Sequence, residues 1–246
     1  MVNRTDMNRL REQKGFTLVE LMIAMLVGGV VMAAVMTSFL SQHETYLAQD
    51  EVVEMQQNAR VAMDMLSRDI RTIGYNPEGK TSAELTTSGI QADGTASILT
   101  FTRDDGTGTG TPETIEYSLY DAYGADGDGK VDDLGRKVGN ATIQPVAENI
   151  SRLEFRYLDE DGNPTNTLSS VRAIQVSMMV QAANPATKSP PLQRTYTLLP
   201  VPGARPIEPL PTESNVPRIN GDEWTSDSGY RSIFLTSTVH CRNLGL

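Results

Sequence analysis

Cysteine occurs once in the 246 residues, tryptophan once and histidine twice. A lone thiol, Cys241, cannot close an internal disulfide, so the fold must be held by its core or by something else, such as a metal. Two readings of Cys241 stand: a buried, inert thiol, and pairing with another chain. The two histidines, His43 and His240, offer no zinc-ligand spacing, and there is no Gly-x-Ser-x-Gly elbow, Walker A loop or dinucleotide fingerprint. His240 and Cys241 are neighbours, and neighbours in a strand point to opposite faces, so they do not make a base and nucleophile. The chain is not expected to be an enzyme.

Positive charge is also scarce. Net charge is −10. Arg4, Arg9, Arg11 and Lys14 against Asp6 and Glu12 leave the first fifteen residues at +2, so the part from Phe16 onward carries −12. An acidic surface has no electrostatic footprint for nucleic acid, and no such partner is expected.

Charge is missing altogether from Leu21 to Gln42. A helix of that length spans a bilayer core of about 30 Å. Basic residues beside such a span are retained in the cytoplasm, which predicts a cytoplasmic N-terminus and the bulk of the chain on the far side. No Ala-x-Ala cleavage site follows the apolar run, as a secretory signal would require. The small residue next to a charged leader comes before it, at Gly15.

The run Lys14-Gly15-Phe16-Thr17-Leu18-Val19-Glu20-Leu21 resembles the class III signal of type IV pilins and of type II secretion pseudopilins. The resemblance implies cleavage between Gly15 and Phe16 by a prepilin peptidase, and N-methylation of the new Phe16 amine. It also implies that Glu20 guides assembly by neutralising the amino terminus of a neighbouring subunit. A carboxylate within a span costs about 2.5–3.5 kcal/mol at the helix centre, so Glu20 calls for a partner. The other reading is an uncleaved anchor whose Glu20 reaches back to the interface.

Beyond the span the helical pattern continues. Val52, Met55, Ala59, Ala62, Leu66, Ile70 and Ile73 recur at intervals of three and four, one apolar stripe on a helix predicted over Phe16–Ile73. Gly28-Gly29 is a place where it could bend. Arg60, Asp64 and Arg68 follow at i,i+4 on another face. Gly74 suits a left-handed position after the helix, and Asn76-Pro77 stops it.

From Gly79 the period changes to two. Ile98–Arg103, Thr114–Tyr120, Leu153–Leu158, Ala173–Gln181, Arg194–Leu199 and Ile233–Val239 read as strands. Leu153–Leu158 and Ala173–Gln181 are expected to pair antiparallel around Asp161-Gly162-Asn163-Pro164. In the second of these, Ile174, Val176, Met178 and Val180 would face the core, with Gln175, Ser177 and Gln181 on the opposite face. Gly106–Pro112 reads as a loop. Pro200–Pro217 holds six prolines and should run extended over the surface, as a linker or a partner-docking arm.

The expected fold is α+β, a pilin-like lollipop: a long N-terminal helix packed on a mainly antiparallel β-sheet. Its parts are a cleaved leader over 1–15, a transmembrane half-helix over 16–41, an amphipathic half-helix over 42–74 and a periplasmic β-rich head over 75–246, with the proline-rich loop at 200–217.

Two further segments narrow the resemblance. Leu66-Ser67-Arg68-Asp69-Ile70-Arg71 followed by Gly74-Tyr75, and Thr238-Val239-His240-Cys241-Arg242-Asn243, resemble the minor pilins of the PilW family; J-type minor pseudopilins share the pattern less closely. The implied function is a minor type IV pilin that starts or caps a pilus. The implied partners are the prepilin peptidase, other minor pilins, the major pilin, the assembly machinery and the inner membrane. The alternatives are a minor pseudopilin of type II secretion and a calcium-dependent tip adhesin.

The adhesin reading rests on Asp121, Asp126, Asp128, Asp132 and Asp133, interleaved with Gly124, Gly127 and Gly129. Hard oxygens on a flexible loop are what calcium takes. The EF-hand pattern fails, because Lys130 falls where an oxygen belongs, Val131 where glycine is required and Lys137 where the closing glutamate should be. A solvated acidic turn is the other reading of Asp126, Asp128, Asp132 and Asp133.

Overall fold

The computed structural model describes residues 15–77, 84–86, 94–104, 112–121, 130–185, 195–197, 223–225 and 229–244. Two compact units, 1–50 and 51–246, divide the chain. One helix, α1 at Leu18–Ile70, contributes to both.

In the first unit the helix is apolar on all sides, and the side chains from Leu18 to Leu47 are exposed. It continues without a break through Gly28 and Gly29. The ring of His43 stacks on Phe39, with centroids 6.5 Å apart.

In the second unit α1 buries one stripe: Met55, Ala59, Ala62, Leu66, Asp69 and Ile70. The apolar members are those expected from spacing, whereas Asp69 is an addition. The helix ends at Ile70, three residues earlier than expected, because Thr72 and Ile73 donate to carbonyls only three residues back and tighten the last turn. Gly74 follows at φ +74°, and its N–H donates to Thr102 of the sheet. Arg68 pairs with Asp64 at 2.8 Å in an exposed position, worth about 0.3–0.5 kcal/mol.

Among the described residues ten strands follow: β1 (Thr95–Ala96), β2 (Leu99–Asp104), β3 (Pro112–Tyr120), β4 (Asp133–Val138), β5 (Gln144–Ala147), β6 (Ile150–Leu158), β7 (Ala173–Gln181), β8 (Thr195–Thr197), β9 (Glu223–Thr225) and β10 (Ser232–His240). They form two four-stranded sheets, β1-β6-β7-β10 and β2-β3-β4-β5, and a β8-β9 pair. All pairings are antiparallel. The single sheet of the sequence reading is therefore two.

The expected β6–β7 pairing is present, with Leu158 opposite Ala173 and Ile150 opposite Val180. Three expectations change. Pro112 begins β3 rather than closing a loop. β4 and β5 were not expected: β4 carries Gly135-Arg136-Lys137, which hides its alternation, and β5 carries Pro145, tolerated because β5 is an edge strand. The third change is at β7, which is buried on both faces. Its polar face is covered by longer cross-strand neighbours, Arg156 and Thr238 opposite Gln175, and Glu154 and Thr236 opposite Ser177. The hydroxyls of Ser177 and Thr236 lie 3.2 Å apart. The proline-rich stretch 200–217 lies outside the described residues.

A single core joins the helix stripe to both large sheets, including Leu66, Ile70, Phe101, Ile115, Tyr117, Phe155, Tyr157 and Ile174. Each such large apolar side chain contributes about 1.5–3 kcal/mol by leaving water. That burial fixes the helix end against the sheets.

Candidate functional site

Gly15 and Phe16 precede the first helical turn, and Phe16 is 92% exposed. A Cβ at Gly15 would meet nothing within 4 Å, so no packing among the described residues demands glycine there. Thr17 and Glu20 close a reciprocal cap. The Thr17 N–H and hydroxyl each donate to a Glu20 carboxylate oxygen at 2.9 Å, and the Glu20 N–H donates back to the Thr17 hydroxyl at 3.2 Å. This is a capping box, which satisfies donors at a helix start. The carboxylate thus has a partner within its own chain, one that the Thr-x-x-Glu spacing signals and that the reading of Glu20 as a charge awaiting an amine passes over.

From this cap α1 runs as an apolar helix long enough to cross a membrane, and its most apolar eighteen-residue window is wholly unburied. A core helix of that composition would be covered. An exposed apolar surface of this extent belongs in lipid or against like helices.

Residues 10–36 match the prokaryotic N-terminal methylation motif. The motif covers Gly15, Phe16, Thr17 and Glu20 and most of the apolar run. No curated protein matches the chain. Among solved structures, a type IV-like pilin from Thermus thermophilus is similar at 14% identity and a TM-score of 0.43, covering 77% of this chain and 98% of the other. The methylation motif thus falls on the uncovered apolar stretch of α1.

The aspartate cluster divides. Asp126 and Asp128 lie outside the described residues. Asp132 is half-buried ahead of β4, and Asp133 is buried as its first residue, opposite Tyr120. The Tyr120 hydroxyl is pushed up by burial and by the charges of Asp133 and Glu148. Among the described residues no three acids, histidines or thiols converge on one point.

A polar knot in the second unit escaped sequence reasoning. Asp69, 7% exposed on α1, accepts from the Tyr117 hydroxyl at 2.8 Å and from Arg136 Nε at 2.7 Å. Arg103 stands 3.6 Å from Asp69 and 2.9 Å from Glu113. Burial, then the charge and hydrogen bond of Asp69, push the Tyr117 hydroxyl far above its ordinary value, so it stays a donor. Burial alone would lower the Arg136 guanidinium, but Asp69 outweighs it and the net shift is upward. The knot fastens α1 to β3 and β4.

Cys241 is buried, and burial pushes its thiol up to about 12. His240 is exposed beside it. Cys241 lies just past the end of β10, and both residues line one surface hollow.

Proposed function

We propose that this chain is a minor type IV pilin of the PilW family, a structural subunit rather than an enzyme, acting in the initiation or capping of a pilus. The observation that carries the reading is the methylation motif at 10–36, set on an uncovered apolar helix. In this reading a prepilin peptidase cuts between Gly15 and Phe16 on the cytoplasmic side of the inner membrane, and the Phe16 amine is methylated. The apolar half of α1 holds the subunit in the membrane, with the head in the periplasm, until assembly. The head contacts other minor pilins and the major pilin, and the assembly machinery supplies the work.

Glu20 then acts by exchange. Its carboxylate is held by Thr17, and a neighbouring subunit's ammonium would replace these neutral donors with a charged one, a stronger bond in a low dielectric.

The test is a deletion strain complemented by the wild-type chain and by Gly15→Val, a substitution that meets no steric obstacle. Surface pili should be lost on deletion and restored by wild type but not by the variant. Mass spectrometry of the wild-type product should show a chain beginning at singly methylated Phe16. Normal pili with a depleted secretome would instead make this chain a type II secretion pseudopilin.

A further inference from the structure

We propose that the trough between α1 and β10 docks an extended segment of another polypeptide, one that alternates acidic and apolar side chains. This goes beyond the pilus reading and does not depend on it. The cavity has a volume of about 610 Å³ and is lined entirely by the second unit. Its floor is Ala59 and Met63 from the helix, with Ile233 and Leu235 from β10. The last three are only partly buried, so the floor has apolar surface left to cover.

The rim has the opposite sign to the molecule. Arg60, Arg68 and Arg71 stand along it against Asp64, and Asp64 is already engaged by Arg68. On a chain of net charge −10, the two arginines left over on the rim, Arg60 and Arg71, beside an apolar trough select an anionic occupant. Guanidinium groups hold carboxylates through paired, charge-assisted hydrogen bonds.

Dimensions select an extended chain. Gln56 and Arg71 bound the helical wall, and at 1.5 Å per residue that wall is roughly 22 Å long. A trough of that length matches an extended segment lying along it. It accommodates one strand of six or seven residues at about 3.3 Å each. Alternate side chains of a strand point to opposite sides. One set would then cover Met63, Ile233 and Leu235 while the other reaches the arginines; a small anion would leave the floor bare.

The probe is a fluorescent seven-residue peptide alternating glutamate and valine, titrated into the full chain in detergent and read by anisotropy. Serine–valine and lysine–valine peptides are the controls. The expected result is saturable binding at least about tenfold tighter than either control. The doubly reversed Arg60→Glu, Arg71→Glu variant, altered only at exposed side chains, should lose at least about tenfold with an unchanged melting temperature. Binding that ignores the charge of the peptide, binding that survives the double reversal, or no saturation by about 1 mM would each overturn the proposal.

Discussion

The side-chain amide of Asn243 donates to the carbonyl oxygens of Arg71 and Ile73, at 3.3 and 3.2 Å. Helix ends leave carbonyls without partners, and here one residue from the segment after β10 answers two of them. The helix end and this segment, which read as separate stretches in sequence, form one piece of structure.

Asn243→Ala should therefore lower stability by about 1–2 kcal/mol, since it removes two hydrogen bonds and leaves carbonyls to find water. Gly74→Ala should cost about as much for another reason. Gly74 sits at φ +74°, and its Cβ would approach Leu244 Cδ2 at 3.0 Å and the Asn243 carbonyl at 3.2 Å, combining backbone strain with crowding. Urea denaturation of the full chain in detergent would measure both. A loss below a few tenths of a kcal/mol for Asn243→Ala would show that this cap contributes little.

At the Asp69 knot, removing one partner strands the others. Asp69→Ala leaves the buried Tyr117 and the half-buried Arg136 without their acceptor and should cost roughly 2–4 kcal/mol. Tyr117→Phe removes one neutral donor and should cost about 1–2 kcal/mol. A double-mutant cycle over the two sites should give a coupling of at least about 0.5 kcal/mol; simple additivity would show that the bonds do not act together.

Cys241 sets an alkaline limit. Its thiol is raised from 9.0 to about 12 in the folded chain by burial. The folded state holds the proton more tightly than the unfolded one, so this contribution is fully present below pH 9 and is lost as pH rises from 9 through about 12. Tyr117, raised from 10.0, acts in the same direction above pH 10. Stability should be flat from neutrality to pH 9 and then fall, and Cys241→Ala should flatten the onset of that fall. In the same way, a maleimide should label Cys241 slowly in the native chain at pH 8 and rapidly in denaturant.

Gly135 is a packing requirement rather than a conformational one. An alanine Cβ would lie 2.6 Å from Ile143 Cγ1 and 2.7 Å from Tyr120 Cδ1, so Gly135→Ala should cost about 1–3 kcal/mol by overpacking. Ile143→Ala in the same chain should recover part of the loss. Failure of that rescue in a thermal melt would place the strain in the β4 backbone instead.

The fold is legible in sequence where contacts are local in pattern. The stripe from Met55 to Ile73 is visible because a helix repeats every 3.6 residues, and β6, β7 and β10 are visible because strands alternate. The knot is not, because Asp69 meets Tyr117 and Arg136 across 48 and 67 residues, and no local pattern marks an aspartate that will be buried. β4 was hidden by glycine and basic residues, and β5 by a proline that its edge position accepts. In the N-terminal motif Gly15, Phe16 and Glu20 stand out by spacing, while the capping role of Thr17 is obscured by the larger charge question beside it.

The position of β7 has a consequence in time. It lies between β6 and β10, yet roughly fifty residues separate the end of β7 from the start of β10. As the chain emerges, β7 can pair with β6 at once, but its other edge must wait. During that interval a nine-residue strand, destined to be buried along its whole length, is an open edge able to pair with any other chain nearby. Crowding of nascent subunits should therefore favour misassembly through β7, and a chaperone that shields this edge until β10 arrives would raise the yield of folded protein.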